Sequence, residues 1–304
     1  MDASIRLSGS GRVPLRIWLV AARPRTLPAA IAPVLVGTAL AASEDIFRPL
    51  AFCAALIGSV FIQIGTNLSN DYSDARRGAD TEDRLGPVRV TASGLVAPRQ
   101  VLVATWLAFA VAIAAGSYLI ALVGWELLAV GAASILAGVL YTGGPRPYGY
   151  EGLGELFVFL FFGVVAVTGS YYVQTEELRA LAFELAIPIG LLSASILMVN
   201  NVRDIDTDRR AGKRTLAVRV GRSRARRAYA AALSLAFVST AVIAASGEGS
   251  AWLLLCWASA PLVPKLVRTV GTRVDGPSLN AALAGTGRLL AAFSLLLCAG
   301  LLLS

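Results

Sequence analysis

The sequence predicts an all-α fold threaded repeatedly through a membrane, and three features predict it. Hydrophobic residues make up 56% of the 304-residue chain and the mean hydropathy is +0.69, above the roughly 45–50% apolar content of soluble domains. Charged residues are only 15% of the chain, and nearly all fall between long apolar runs. Those runs number about nine, each close to the roughly 20 residues that a spanning helix needs.

In chain order the runs are 26–42, 51–69, 99–120, 124–141, 154–173, 183–200, 228–246, 249–267 and 282–303. No convincing cleavage site of small residues accompanies the first, so it is predicted to be a membrane helix and not a removed signal. Pro261 and Pro264 predict a kink or an early end in the eighth. Two polar connections are long, 70–98 and 201–227. Nine spans put the N-terminus, 70–98, 142–153, 201–227 and 268–281 on one side. Of 27 basic residues, only Arg48 and Arg179 fall on the other. The positive-inside rule therefore predicts a cytoplasmic N-terminus and two cytoplasmic loops. One acidic cluster follows the second run and another follows the sixth. That echo predicts two four-helix halves around a central cavity plus one more helix, within a single domain covering 1–304. Arg288 interrupts the last run, and the sequence suggests no role for it.

Several function classes drop out early. Without histidine there are no imidazole metal sites, His bases or Ser-His triads. Cys53, Cys256 and Cys298 each stand alone in an apolar run and read as small core residues. The net charge of +8 sits in short loops between apolar runs. That is a topology pattern, so the expected surroundings are the lipid bilayer, with no nucleic acid.

The chemistry concentrates in the acidic clusters. Asn67, Asp71 and Asp74 stand at i, i+4 and i+7, one stripe of a helix, with Asn70 beside them and Asp80 and Asp83 beyond. Asn201, Asp204 and Asp208 form a second stripe after the sixth run, beside Asn200 and Arg203. Magnesium favours such hard oxygen donors and commonly takes one or two carboxylates plus substrate phosphate oxygens. A solvated acidic cap is the bland alternative. It fits poorly, because acids at a helix C-terminus oppose the macrodipole. The expected metal ligands, and the catalytic set, are Asp71, Asp74, Asp204 and Asp208, joined by Asn67. Diphosphate oxygens not taken by metal need cationic or amide donors. Arg84 and Lys213 lie just beyond the aspartates, and Asn70, Asn201 and Asp80 are expected beside the same group. The loop Tyr141–Glu155, rich in Gly and Pro, carries Arg146 and Tyr148. It is either an aromatic belt at the interface or the wall of an acceptor pocket. Arg23 is either an interfacial anchor or a substrate contact. With Arg146, Tyr148 and Arg203 it completes the expected acceptor-binding set.

These residues resemble the UbiA-type intramembrane prenyltransferases. The likeness begins at Ala22-Arg23-Pro24-Arg25-Thr26 and is densest at Asn70-Asp71-Tyr72 with Asp74, Gly78, Asp80 and Arg84. It continues through Tyr141–Gly154 and closes at Asn200-Asn201, Arg203-Asp204, Asp208, Gly212-Lys213 and Thr215–Val218. Where the general pattern has a further Asp, this chain has Gly78. Its Gly78-x-Asp80 form is similar to the naphthoate branch and leaves Asp74 and Asp80 as alternative ligands. The resemblance implies nine helices around a cavity open to lipid, two Mg2+ ions, and a bacterial inner-membrane enzyme with its site facing the cytoplasm. It implies transfer of a polyprenyl group from polyprenyl diphosphate to 1,4-dihydroxy-2-naphthoate, with loss of carbon dioxide. Another aromatic acceptor, such as 4-hydroxybenzoate, is the alternative within the family. A cation-coupled transporter is the alternative outside it. Transporters place ionisable groups near the bilayer midplane on broken helices, whereas these carboxylates gather at helix ends.

Overall fold

The computed structural model describes residues 13–79, 85–246 and 249–304, and helix is the only regular structure among them. The helices are α1 (Leu15–Ala22), α2 (Leu27–Ala42), α3 (Pro49–Arg76), α4 (Pro98–Val123), α5 (Glu126–Leu140) and α6 (Gly154–Thr175). After them come α7 (Ala180–Arg210), the short α8 (Leu216–Val220), α9 (Arg222–Ala245), α10 (Ala251–Thr272) and α11 (Gly276–Leu302). With α1 and α2 taken as one segment, eight helices among the described residues are long and apolar enough to cross a membrane. The remaining apolar helix, α5, has 15 residues, about 22 Å of rise against a hydrocarbon core of roughly 30 Å.

Every predicted run has a helix at its place, and three depart from regularity for local reasons. The first segment turns at Arg23, which takes the left-handed conformation at φ 54° and caps α1 by donating its N–H to Val20. Pro24 and Pro28 follow, and their missing donors keep α1 and α2 apart. Helix α6 widens into a π turn over Phe159–Val165. Helix α10 does not end at its prolines. It winds tightly as a 3-10 helix over Ala251–Leu262 and relaxes to α geometry from Val263.

Helices α3, α4 and α5 form one group, and α7, α9, α10 and α11 form another. Helices α2 and α6 lie against each other, with α2 also on α11 and α6 on α7. The large apolar core belongs to the second group and includes Leu185, Ile189, Leu192, Leu233, Phe237, Leu289, Phe293 and Leu297. The most apolar window of α7 is 67% buried, but those of α3 and α4 are only 22%. The first group is thus a thin wall with a large share of its surface left uncovered. Helices α6 and α7 meet closely at glycine. A Cβ on Gly163 would lie 2.7 Å from the Gly190 Cα, so a larger residue there would separate them.

Length decides where the polar motifs emerge. Helix α3 has 28 residues and α7 has 31, about 42 and 46 Å of rise. Both overrun the apolar layer. Their last turns hold Asn67–Asp74 and Asn200–Asp208 at one common end of the molecule.

Candidate active site

A cavity of about 780 Å³ lies between the two groups. Much of its wall is apolar, including Ile62, Leu127, Ile135, Phe157, Phe161, Phe162, Ile196 and Leu197. Its charged lining residues, all near the motif end, are Arg23, Asp74, Arg89, Asp204, Asp208 and Lys213.

Asp74 joins the two motifs. It is 1% exposed, and its Oδ2 meets Arg89 Nη2 at 3.1 Å and Lys213 Nζ at 3.2 Å. Its Oδ1 accepts from the Tyr150 hydroxyl at 2.6 Å. Lys213 follows α7, so this contact ties the end of α7 to the end of α3. The ammonium also stands 4.7 Å from the Tyr150 ring centre, a cation–π distance.

Asp204 is held as firmly from behind. Arg203, 1% exposed, donates to both its oxygens, Nε to Oδ1 at 2.7 Å and Nη2 to Oδ2 at 2.6 Å. The same guanidinium reaches Asn280 at 2.6 Å and Asn200 at 2.7 Å. A planar fork is suited to this task. Arg203 therefore stands behind Asp204 and outside the cavity lining.

Hydrogen bonds also set which end of each amide is left over. Asn67 donates through Nδ2 to Ala22 O at 3.0 Å and to Thr26 Oγ1 at 3.2 Å. Asn201 donates to Glu155 Oε1 at 2.9 Å. Both keep a carbonyl oxygen for the cavity. Asn70 accepts from Thr142 at 2.9 Å and Asn200 accepts from Arg203, so these two keep their amide N–H groups.

Asp71 faces elsewhere. Its oxygens accept from the backbone N–H groups of Val90 and Thr91 at 3.1 and 2.9 Å, so it caps the turn that carries Arg89. At 100° per residue it sits about 60° around the helix from Asp74, enough to turn it away from the cavity.

The acceptor-side expectations divide. Tyr148 lines the cavity, donates to Ala137 O at 2.9 Å and stacks on Phe157 with ring centres 4.0 Å apart. Arg23 lines the cavity too. Arg146 does not: its side chain is 85% exposed and stands 3.9 Å from Glu151. Tyr141 lines the cavity as well, with its ring 5.4 Å from that of Tyr148. Arg84 and Asp80 lie outside the described residues.

Among the described residues, no three acidic or thiol side chains converge on one point as a complete metal cage. The donor set still fits magnesium, which is commonly held by one or two carboxylates with the substrate's phosphate oxygens completing the shell. Asp74, Asp204, Asp208, Asn67 and Asn201 are the oxygen donors at the cavity.

The model of the UbiA prenyltransferase family matches residues 30–278. The chain belongs to that family. A Mycobacterium tuberculosis protein named 1,4-dihydroxy-2-naphthoate octaprenyltransferase is 44% identical over 270 residues, covering 89% of this chain and 91% of its own. An Escherichia coli protein of the same name is 38% identical over 293 residues, covering 94% and 95%. A solved UbiA homolog from Aeropyrum pernix superposes with a TM-score of 0.68 at 16% identity, covering 91% of this chain and 97% of its own. Another, from Archaeoglobus fulgidus and bound to DMAPP and Mg2+, gives 0.61 at 13%, covering 92% and 98%. At these identities the solved structures carry the fold alone.

Five residues that the motifs contain or border, Arg89, Tyr150, Thr142, Glu155 and Asn200, had no site role assigned from sequence, and the structure brings each to the motif end. Arg89 and Tyr150 stood in or beside the motifs, but only folding brings both to Asp74. Glu155 did give a local signal: it is an acid opening an apolar run, 6% exposed, and such a residue needs a partner.

Proposed function

We propose that this UbiA-family protein transfers a polyprenyl group from polyprenyl diphosphate to 1,4-dihydroxy-2-naphthoate, with release of carbon dioxide, giving the demethylmenaquinone skeleton. The observation that carries the reading is the joining of the two aspartate motifs through Lys213 and Asp74, both lining one end of a largely apolar cavity. Relatives at 38–44% identity bearing the naphthoate prenyltransferase name support the choice of acceptor.

In this reading the diphosphate lies among Lys213, Arg89 and the N–H groups of Asn70 and Asn200. Arg84 is proposed there too. Asp74, Asp204 and Asp208, with Asn67 and Asn201, would hold Mg2+; Asp71, expected as a ligand, holds the turn that carries Arg89, and Asp80 is proposed beside the diphosphate. Bound magnesium supplies Lewis-acid stabilisation of the charge growing on the leaving oxygens. Lys213 and Arg89 add fixed positive charge in a site shielded from water. The bond between the allylic carbon and diphosphate breaks, and the apolar wall keeps water from the resulting cation. The ring carbon bearing the carboxylate forms the new bond, and carbon dioxide departs with its electrons left in the ring. No proton needs to move in that exchange, so the chain's lack of histidine is no obstacle. Tyr148, Arg23 and Tyr141 line the space for the acceptor, with Arg146 at its rim. Arg203 acts through Asp204. The polar end faces the cytoplasm of a bacterial inner membrane, consistent with the basic loops.

Naphthoate labelled in its carboxyl group tests this reading. Labelled carbon dioxide should appear in step with prenylated product in vesicles carrying the protein. Prenylation of 4-hydroxybenzoate and not of the naphthoate, or product that keeps the label, would overturn the acceptor assignment.

A further inference from the structure

Arg288 has a place in the structure that the motifs do not explain. It lies on α11 with its side chain exposed, inside a helix apolar enough to span a membrane. Its depth follows from its neighbours. Asn280 meets Arg203 and donates to Leu85 O at 3.0 Å, so the first turns of α11 stand beside the polar end. Arg288 lies eight residues further, about 12 Å along the helix. At that level α11 meets the bend between α1 and α2. A Cβ on Gly287 would lie 3.0 Å from Arg25 O and 3.7 Å from Pro28 Cγ. Glycine there lets the two backbones approach, so the bend carrying Arg25 packs on the turn of α11 that carries Arg288.

Both arginines are exposed. Neither has a hydrogen-bond or ion-pair partner among the described residues. The adjoining α1 turns Leu15, Leu19 and Val20 outward, 75%, 54% and 45% exposed, as an interfacial helix does with its lipid side. Both arginines thus stand on the outer surface within about 12 Å of the polar end. A lipid-facing guanidinium is costly unless it reaches a polar partner, and an anion on this surface can be reached from both elements. Phosphate matches the guanidinium fork.

We propose that Arg25 and Arg288 form a binding site for the phosphate group of a membrane lipid, on the outer face of the seam between α11 and the α1–α2 bend. Thr26, Ala29 and Leu283 on the same seam line the cavity, so the site adjoins the cavity wall. An anionic phospholipid headgroup and the diphosphate end of a prenyl chain share this chemistry.

The test uses the full chain, delipidated in detergent with EDTA, then given phosphatidylglycerol or phosphatidylcholine and weighed intact by native mass spectrometry. Wild type should retain phosphatidylglycerol over phosphatidylcholine. Arg25→Gln/Arg288→Gln should retain it about tenfold less, the scale of lost charge-assisted contacts. Arg25→Lys/Arg288→Lys should recover part of the retention. Farnesyl diphosphate added to wild type separates the sources: displacement of phosphatidylglycerol shows that the site takes both, and no displacement restricts it to phospholipid. Equal phosphatidylglycerol retention by wild type and the Gln variant overturns the proposal. Should the double variant fail to fold, Arg288→Gln alone serves, since it leaves the bend intact. None of these readouts depends on turnover, so failure of the proposed reaction would leave this result standing.

Discussion

Replacing Arg203 by Met should destabilise the protein far more than replacing Arg203 and Asp204 together. The single change strips a buried carboxylate, 5% exposed, of the cation that holds both its oxygens. Breaking a buried pair from one side costs about 3–5 kcal/mol. Asn200 and Asn280 each lose a partner as well, at about 1 kcal/mol apiece, so the single variant should lose about 5–7 kcal/mol. In Arg203→Met/Asp204→Leu no buried charge is stranded. Only the amide losses remain, about 2 kcal/mol. For a chain of this size each kcal/mol lowers Tm by about 2–4 °C. The single variant should therefore melt at least about 10 °C below wild type, and the double only about 4–8 °C below. Thermal unfolding in detergent followed by tryptophan fluorescence reads both. A single variant as stable as the double would refute the clamp. A folded Arg203→Lys that raises only the KM for the aromatic substrate would show a substrate contact instead.

Chelation should abolish turnover and added magnesium should restore it; full activity in metal-free buffer would exclude the proposed metal. Asp74→Asn and Asp208→Asn should each lower kcat at least about 100-fold, with the double little worse. Asp71→Asn should act mainly on the KM for the diphosphate, by loosening the turn that carries Arg89, and equal kcat losses at Asp71 and Asp74 would contradict that division. Single cysteines placed in 85–97 and 211–215, with Cys53, Cys256 and Cys298 replaced, should resist an impermeant thiol reagent in intact cells; labelling from outside would reverse the orientation.

The helices were legible because apolar runs of membrane length have few alternatives, and the motif stripes because a 3.6-residue period fixes which positions share a face. Resolution ended where that period is too coarse. Asp71 and Asp74 fall in one stripe by spacing, yet a rotation of about 60° separates a turn cap from a cavity residue. Arg89 and Tyr150 escaped because their common partner is 15 and 76 residues away, and no local pattern encodes such a meeting. The π turn in α6 escaped too, since Phe159–Val165 reads as ordinary apolar helix. Arg203 stood out by its position in the motif, but only its four bonds distinguish a support for Asp204 from a surface for substrate.

Among the described residues the cavity is balanced in formal charge: Asp74, Asp204 and Asp208 against Arg23, Arg89 and Lys213. By that count a diphosphate entering alone would leave the lining with an excess of negative charge, and a cation entering alone with an excess of positive charge. In the proposed reaction each would improve the site for the other. Thermodynamic linkage then requires that whatever factor magnesium adds to donor affinity, the donor adds to magnesium affinity. In a titration the two should bind cooperatively, and a preparation poor in either should bind the other more weakly.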